Sequence, residues 1–259
     1  MAPGIDLSSL ASEVATANDT TLPTKKPAPS PTTIHSTGSN VLDPSLITQD
    51  FDQLRFHGAA LNQLAIPPPS SSNPQLSTHL ISSPYNNPQH YLDLTTLPLP
   101  SVLLAKALTA LHPSRPDYAT APYPSALNFA EVLELVRRFS ADEGVPWREA
   151  SFYVVVFRSQ LKAVIDNDYL YAVDYESHRE ACESGGLLKY WFGKPDGERR
   201  NLATCFWHSR EDARKGGLGP WHKKARAAGR ELYESIIFSV HRFTILDGAT
   251  EYKFEDWKD

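Results

Sequence analysis

Five side chains in the second half of the sequence could together handle a small molecule. His208 and His222 carry imidazoles, which gain or lose a proton near neutral pH. Tyr190 and Trp207 could line an aromatic pocket for a planar substrate, and Arg158 could hold an anionic oxygen. We therefore predict a ligand-binding site formed by Arg158, Tyr190, Trp207, His208 and His222, and we assign no catalytic residue.

A structural role for the same residues stays open at this stage. Aromatic residues that alternate on paired strands usually form the core of the sheet. Arg158 ends an apolar strand, so its charge must be solvated or paired, and Asp174 or Glu176 could form an ion pair with it. Such a pair would leave Arg158 without a role in ligand binding.

The cysteines and histidines predict neither a metal site nor a bound cofactor. His208, His222 and His241 match no tight ligand spacing, and Cys205 with His208 gives only an isolated C-x-x-H pattern. A nucleophilic cysteine needs a neighbour that stabilises the thiolate, whereas His208, three residues along the strand, points to the other face. Cys205 is therefore expected to be a buried, inert thiol.

The elements that would position these residues follow one another in a definite order. Apolar runs, glycines and capping residues predict strands at 152–159, 187–193, 201–209 and 235–246, a helix near 174–184, and a helix from 209 to about 234 that is interrupted at 216–220. This β-α-β-β-α-β order is the ferredoxin-like split unit, an α+β fold. One face of such a sheet stays apolar, and either a second protomer or the N-terminal helices must cover it.

Composition changes along the chain and indicates three regions. Of the 21 prolines, 18 lie in the first half, and all five tryptophans lie at or beyond Trp147. Residues 1–42 are predicted to be a disordered tail rich in Pro, Ser and Thr, because they cannot bury enough apolar surface. Residues 43–145 are predicted to form N-terminal helices, one of them within 44–65, and Pro-rich connectors that pack on the core. Residues 146–259 are the predicted ferredoxin-like domain.

Charge and hydropathy exclude two classes of partner. The formal net charge is -5 and no long basic block exists, so nucleic-acid binding is not expected. No window approaches the roughly 20 apolar residues that span a bilayer, and the start of the sequence lacks a signal-peptide pattern. The two cysteines fit a reducing compartment. We predict a cytoplasmic location, with the nucleus as an alternative, and no membrane partner.

Several longer motifs resemble known families. The combination of FYVVVFRS, GGLLKYWFG, NLATCFWHSREDA and PWHKKA resembles the uncharacterised fungal family UPF0643 over roughly residues 90–257. This resemblance implies a shared fold and a fungal cytosolic or nuclear setting, but no activity. More distantly, a strand ending in Trp, then Ser-x-x-Asp-Ala, then a histidine in the next helix resembles the dimeric α/β barrel superfamily. Its members include cofactor-free monooxygenases, haem-degrading enzymes and stress-response proteins.

Two functional hypotheses follow from these patterns. The first is a ligand-binding or enzymatic α/β-barrel protein that takes a small hydrophobic metabolite between sheet and helices, with cofactor-free oxygenation or isomerisation as its chemistry. The second is a non-enzymatic interaction protein whose apolar sheet face buries a partner or a second copy in a homodimer. An interior apolar pocket favours the first hypothesis. Complete filling of that space by Trp191 and Trp207 would exclude it.

Overall fold

Short elements occupy the N-terminal half of the chain, and long strands and helices occupy the C-terminal half. The computed structural model describes residues 37–67 and 74–258, and all of these belong to one compact unit. The strands described are β1 (Val41–Leu42), β2 (Leu76–Ser77), β3 (His79–Ile81), β4 (Tyr91–Asp93), β5 (Ala150–Leu161), β6 (Leu187–Phe192), β7 (Arg200–Trp207), β8 (Tyr233–Ile245) and β9 (Tyr252–Asp256). The α-helices described are α1 (Phe51–Phe56), α2 (Leu99–Ala107), α3 (Tyr123–Ala126), α4 (Phe129–Asp142), α5 (Asn167–Ser184), α6 (Arg210–Gly216) and α7 (Pro220–Leu232).

Five of these strands form one antiparallel sheet. Its order is β6-β7-β5-β8-β9, and Val154 of β5 lies opposite both Phe206 of β7 and His241 of β8. Along the chain, the segment from β5 to β8 contains a strand, a helix, two strands, two helices and a strand. The predicted mixture of helices with one sheet is confirmed. The edge strand β9 pairs with the end of β8 and was not predicted from the sequence.

Side-chain alternation gives this sheet one face whose centre is buried. On β5, Phe152, Val154 and Val156 are buried, and their cross-strand neighbours Phe206 and Phe243 belong to the same core. We call this side the inner face. Helices α2 and α4 contribute apolar residues to that core. The N-terminal helices therefore cover the inner face, which was one of the two coverings that the sequence allowed.

The opposite side of the sheet, the outer face, is covered only in part. Among its side chains on β5 to β8, Trp207, Leu187 and Thr244 are buried and the others are partly or fully exposed. Helices α5 and α6 pack at the end near Trp207 through Ala181 and Ala213. The half-open apolar and aromatic members are Tyr153, Val155, Phe157, Tyr190, Phe192, Ala203, Cys205, Ile236, Phe238 and Val240. We call this partly exposed surface beside α5 the outer cleft.

Local sequence sets the ends of the helices beside the outer cleft. The carboxylate of Asp166 accepts from the amide of Tyr169 at 2.9 Å and starts α5, which ends at Gly185 with φ 82°. Ser209 starts α6 by accepting from the amide of Asp212 at 3.1 Å, as the S-x-x-D pattern predicts. Pro220 opens α7. The helix predicted near 174–184 thus begins earlier than expected, because its capping residue lies before the apolar pattern.

The prediction of one helix within residues 44–65 is wrong. The segment contains a 3-10 turn at Pro44–Leu46, helix α1, and a second 3-10 helix at Ala59–Leu64. Gly58 separates the last two with φ 60°, a left-handed conformation that glycine adopts readily and that ends an α-helix. The apolar residues of this segment lie on several short elements, and these elements pack into two different hydrophobic clusters.

The beginning of ordered structure differs from the predicted boundary at residue 43. Strand β1 lies before it and pairs with β2, so residues 41 and 42 have regular structure. The rest of the predicted disordered tail, residues 1–36, lies outside the described residues. Among the helices that the structure describes, none is both long enough and apolar enough to cross a membrane.

Candidate functional site

The five residues predicted as a site lie on both sides of the sheet. Arg158 is on the inner side, where its guanidinium donates to the carbonyls of Ala119 and Ala121, each at 2.5 Å. The ion pair of Arg158 with Asp174 or Glu176, which the sequence allowed, is therefore not formed. Glu176 instead pairs with Arg179, a neighbour on α5. Arg158 ties the N-terminal half to the sheet.

His208 also faces the N-terminal half. Its Nδ1 lies 2.7 Å from the hydroxyl of Ser101 on α2, and its amide donates to the carbonyl of Gly186 at 2.8 Å. Strand alternation explains this direction, because His208 follows Phe206 at the spacing of one face. His208 and Arg158 consequently do not share a cleft with Tyr190.

Trp207 fills one end of the outer face. Its side chain is buried and packs with Ala181 of α5 and Leu187 of β6. Trp191, the other residue named in the test of the first hypothesis, is fully buried in the inner core, where its indole donates to the carbonyl of Arg55 at 2.7 Å. The two tryptophans thus lie on opposite faces of the sheet.

His222 lies at the start of α7 and binds a carboxylate of the chain itself. The carboxylate of Glu180 on α5 accepts from the amides of Trp221 and His222 at 2.8 and 3.0 Å. Its Oε2 also lies 3.2 Å from Nδ1 of the His222 imidazole. Burial lowers the pKa of His222, and Glu180 opposes that shift. An open groove of about 370 Å³ beside Glu180 and Trp221 completes this region. Glu180 therefore binds two of the backbone amides that the first turn of α7 leaves without a partner inside the helix.

Tyr190 is the predicted residue with the most unusual surroundings. Its hydroxyl donates to Oδ1 of Asp174 at 2.6 Å, and the hydroxyl of Tyr85 donates to Oδ2 at 2.5 Å. Burial raises the pKa of Asp174, while the two phenol hydrogen bonds oppose the rise. Burial, then the charge of Asp174, raises the pKa of both tyrosines. Both phenols therefore keep their protons and Asp174 accepts from both.

A group of aromatic rings packs around Tyr85 and Tyr190, which bind this carboxylate, and we call the group with Asp174 the Asp174 site. Tyr85 lies 6.0 Å from Tyr171 and 5.9 Å from Phe192 between ring centroids. Tyr190 lies 5.4 Å from Phe192. Phe51 of α1 completes the group at 5.3 Å from Tyr85. The site thus joins α1, the loop after β3, α5 and β6 at the edge of the outer cleft.

A histidine pair adjoins the Asp174 site. Nδ1 of His90 lies 2.7 Å from Nδ1 of His178, and His178 stacks on Tyr190 with centroids 5.3 Å apart. Burial lowers the pKa of His90 to about 4 and lowers the pKa of His178 well below its usual value, so both rings are neutral at pH 7. A bond between two Nδ1 atoms needs one proton, so one ring carries it on Nδ1 and the other on Nε2.

Both cysteines lie near this region as thiols. The sulfur of Cys182 is 3.6 Å from Nε2 of His178. Burial raises the pKa of Cys182 to about 12 and also raises the pKa of Cys205. Neither is a thiolate at neutral pH, and a thiol is a poor nucleophile. Across residues 37–67 and 74–258, no group of three or more His, Cys, Asp or Glu side chains is placed to hold a metal ion.

Comparison with known proteins assigns a family. A family model described as PB2B2.08-like matches residues 81–256. The UPF0643 protein PB2B2.08 of Schizosaccharomyces pombe is 37% identical over 195 residues, which covers 72% of this chain and 89% of that protein. The chain belongs to the UPF0643 family. The family predicted from the sequence motifs is confirmed.

Solved structures resemble about a third of this chain. Rv0793 from Mycobacterium tuberculosis has a TM-score of 0.31 and 15% identity, covering 35% of this chain and 92% of its own. SnoaB, a cofactor-independent oxygenase from Streptomyces nogalater, has a TM-score of 0.30 and 13% identity, covering 35% and 91%. A dimeric ferredoxin-like protein of unknown function from Thermobifida fusca has a TM-score of 0.29 and 12% identity, covering 36% and 92%. Likenesses at this level do not define a function.

Sequence reasoning missed most of the Asp174 site, although the UPF0643 match spans all of it except Phe51. One signal was present: Asp174, His178 and Cys182 are spaced by four residues and therefore share one face of α5. Tyr85 gave no signal, because it lies in a proline-containing segment far from α5 in the sequence. Of the five predicted residues, Tyr190 belongs to the site, and His222 lies close enough to Asp174 for their charges to interact.

Proposed function

We propose that this protein binds a small hydrophobic metabolite in the outer cleft. The supporting observation is the contrast between the two faces of one sheet. Alternate residues of β5 are buried on the inner face, whereas Tyr153, Val155 and Phe157 remain partly exposed on the outer face beside a packed helix. Apolar side chains left half-covered next to polar groups are typical of a ligand site.

The Asp174 site supplies the polar end of this proposed cleft. Tyr190 and Phe192 belong both to the outer face and to the ring group around Asp174. Cys205, directly opposite Tyr190 on β7, continues the apolar surface toward Val155. A few polar groups at one end of an apolar cleft fix the orientation of a ligand. The predicted ligand contacts at Tyr190, Trp207 and His222 fall on this side of the sheet.

The reaction stays a prediction from sequence resemblance. Cofactor-free oxygenation or isomerisation would need a group that accepts a proton from the ligand. Asp174 is the carboxylate at the cleft that could accept it, and Tyr85 and Tyr190 hold it in place. We further propose that β5 to β8 form the ferredoxin-like split unit, because their sheet order places the first strand between the third and the fourth.

Filling the cleft tests the proposal. The protein is purified from its own host and weighed by native mass spectrometry, where we expect a bound mass above that of the polypeptide. Val155→Phe places a larger ring at the centre of the outer face, and we expect it to reduce the bound fraction at least about tenfold, a change of about 1.4 kcal/mol.

Val164→Phe is the matched control, because Val164 is 89% exposed and lies outside the outer face. It should retain the bound mass of the natural protein. A natural protein that carries no ligand, and whose thermal unfolding midpoint does not rise with any fraction of host metabolites, would contradict the proposed function.

A second function, self-association, is supported by the edge of the sheet. Strand β9 pairs with β8 only from His241 onward, and Ile237 and Phe238 on the uncovered stretch are 66% and 56% exposed. Long apolar edge strands pair readily with another strand. We propose that a second copy occupies this edge and forms the homodimer.

A further inference from the structure

The carboxylate of Asp174 is partly buried and has no positive partner among the described residues. Its oxygens accept from the hydroxyls of Tyr85 and Tyr190, which are neutral donors. In the part of the chain that the structure describes, Asp174 takes part in no ion pair. Buried charges in proteins are normally paired, since removal from water is costly. Two phenols stabilise this anion but leave its charge uncompensated.

The nearest cationic side chains are engaged elsewhere. Arg55 approaches the rim at 5.5 Å from the Phe192 ring, but its guanidinium pairs with Asp52 at 2.8 Å. Lys194 also binds Asp52. On the other side, His222 interacts with Glu180 at 3.2 Å, and burial holds His222 in its neutral form. None of these three side chains forms an ion pair with Asp174.

The rings around the carboxylate suit a cation. Aromatic faces carry partial negative charge and attract ammonium groups within about 6 Å of the ring centroid. Phe51, Tyr85, Tyr171 and Phe192 are linked to one another by centroid distances of 5.3 to 6.5 Å, and Tyr85 connects them to the carboxylate. Tyr171 is 40% exposed, so the group has an open side.

We infer that the Asp174 site takes a protonated amine as the polar head of the ligand, with the apolar part of the ligand lying along the outer face. This inference rests on the proposed function and names the class of its ligand. The amine would complete the hydrogen bonding of Asp174, which has lone pairs beyond the two that the phenols use. Its charge would offset the buried carboxylate, and Tyr171 and Phe192 would pack on its methylene groups.

Two probes of nearly equal shape separate charge recognition from apolar binding. Isothermal calorimetry on the full chain compares 2-phenylethylammonium with 2-phenylethanol at pH 7. We expect the ammonium probe to bind at least about tenfold more tightly than the alcohol, equivalent to about 1.4 kcal/mol. Equal binding of the two probes, or binding of the alcohol alone, would overturn the amine inference while leaving the proposed function standing.

Variants assign the effect to this carboxylate. Asp174→Asn keeps the shape of the side chain and should reduce binding of the ammonium probe to that of the alcohol, whose own binding stays unchanged. Glu176→Gln, a neighbouring change on α5 outside the site, should leave both values unchanged. Retention of tight ammonium binding by folded Asp174→Asn would refute the inference.

A second variant covers the case in which Asp174→Asn does not fold. Tyr171→Leu removes an exposed ring and keeps the carboxylate and both phenol bonds, so it should fold normally. It should weaken the ammonium probe at least about threefold, or about 0.7 kcal/mol, with little effect on the alcohol. An equal loss for both probes, or no binding of the ammonium probe to the natural protein, would reject the amine.

Discussion

Lys189 is a basic residue buried in the apolar core on the inner face. Its side chain is 1% exposed on β6, opposite Phe206. Burial lowers the pKa of Lys189 to about 7. Within the described residues its amine has no hydrogen-bond acceptor, unlike the buried Lys106, which donates to the carbonyl of Gly38. Ionised Lys189 is consequently a source of instability.

The pH dependence of folding should reveal this amine. The pKa of Lys189 is about 7 in the folded protein and about 10.4 in an unfolded chain. Between these values the unfolded state binds more protons, so stability rises with pH. We expect the free energy of unfolding in urea to increase from pH 7 to pH 9.

Lys189→Met removes the charge and keeps most of the apolar stem. It should raise the free energy of unfolding by roughly 1–3 kcal/mol at pH 7 and flatten the rise toward pH 9. Exposed Lys223→Met is the matched control and should leave both quantities unchanged. A less stable Lys189→Met protein with an unaltered pH slope would show that the amine is paired in solution.

At the scale of elements, the close approach of α6 to the sheet depends on glycine. A Cβ on Gly216 would lie 2.3 Å from Cη2 of Trp207, whereas one on Gly217 would meet only ordinary contacts at 3.5 Å. Trp207 is buried and cannot move away without opening the cluster with Ala181 and Leu187. Gly216 therefore fixes the distance between α6 and β7 and closes one end of the outer cleft.

Gly216→Ala should lower the free energy of unfolding by roughly 1–3 kcal/mol, because the extra methyl group overpacks Trp207. Chemical denaturation monitored by tryptophan fluorescence measures the change. Gly217→Ala serves as the control, with an expected change within about 0.5 kcal/mol. Similar stabilities of the two variants would mean that α6 shifts freely on the sheet.

At the scale of the whole molecule, the centre of the inner face is covered and the β8 edge is open. Residues of α2 and α4 occupy the inner face, so a second protomer cannot pack there. The carbonyl of Val240 accepts from Trp257, so it points toward the β9 side. Since alternate residues point their amide groups to the same edge, those of Phe238 and Ile236 face outward. A two-fold partner strand would place Ile237 opposite its own copy.

Phe238→Lys should disrupt this pairing, since a charge on an edge strand opposes strand addition. Light scattering after gel filtration should give the mass of a dimer for the natural protein and of a monomer for the variant. Val164→Lys adds the same charge at another exposed apolar residue and should remain dimeric. A natural protein that is monomeric at all concentrations would exclude the homodimer.

Much of the fold was accessible from the sequence because its signals are local. The run 152–159, the cap at Ser209 and the break before Pro220 each depend on residues a few positions apart. All three are found in the structure. The segment 44–65 failed because its apolar spacing fitted a helix while Gly58 and packing against two clusters divided it.

The candidate site was only partly accessible, because face assignment and long-range contact decide it. The sequence analysis placed Arg158 and His208 in one site with Tyr190. In the structure Arg158 and His208 point to the inner side, because neighbouring residues of a strand point to opposite faces. The bond from Tyr85 to Asp174 joins residues 89 positions apart, and no local pattern predicts it. The predicted reaction and cellular compartment stay predictions.

The sequence by itself determined the family, the strands and helices between β5 and β8, and the presence of reactive side chains. It did so because motifs, alternation and caps act over short stretches of chain. Only the tertiary structure decided that the N-terminal half covers the inner face and that α5 meets the loop after β3. Burial then converted Asp174 from an ordinary helix residue into an uncompensated carboxylate, since the cost of a charge depends on surroundings that the whole fold creates.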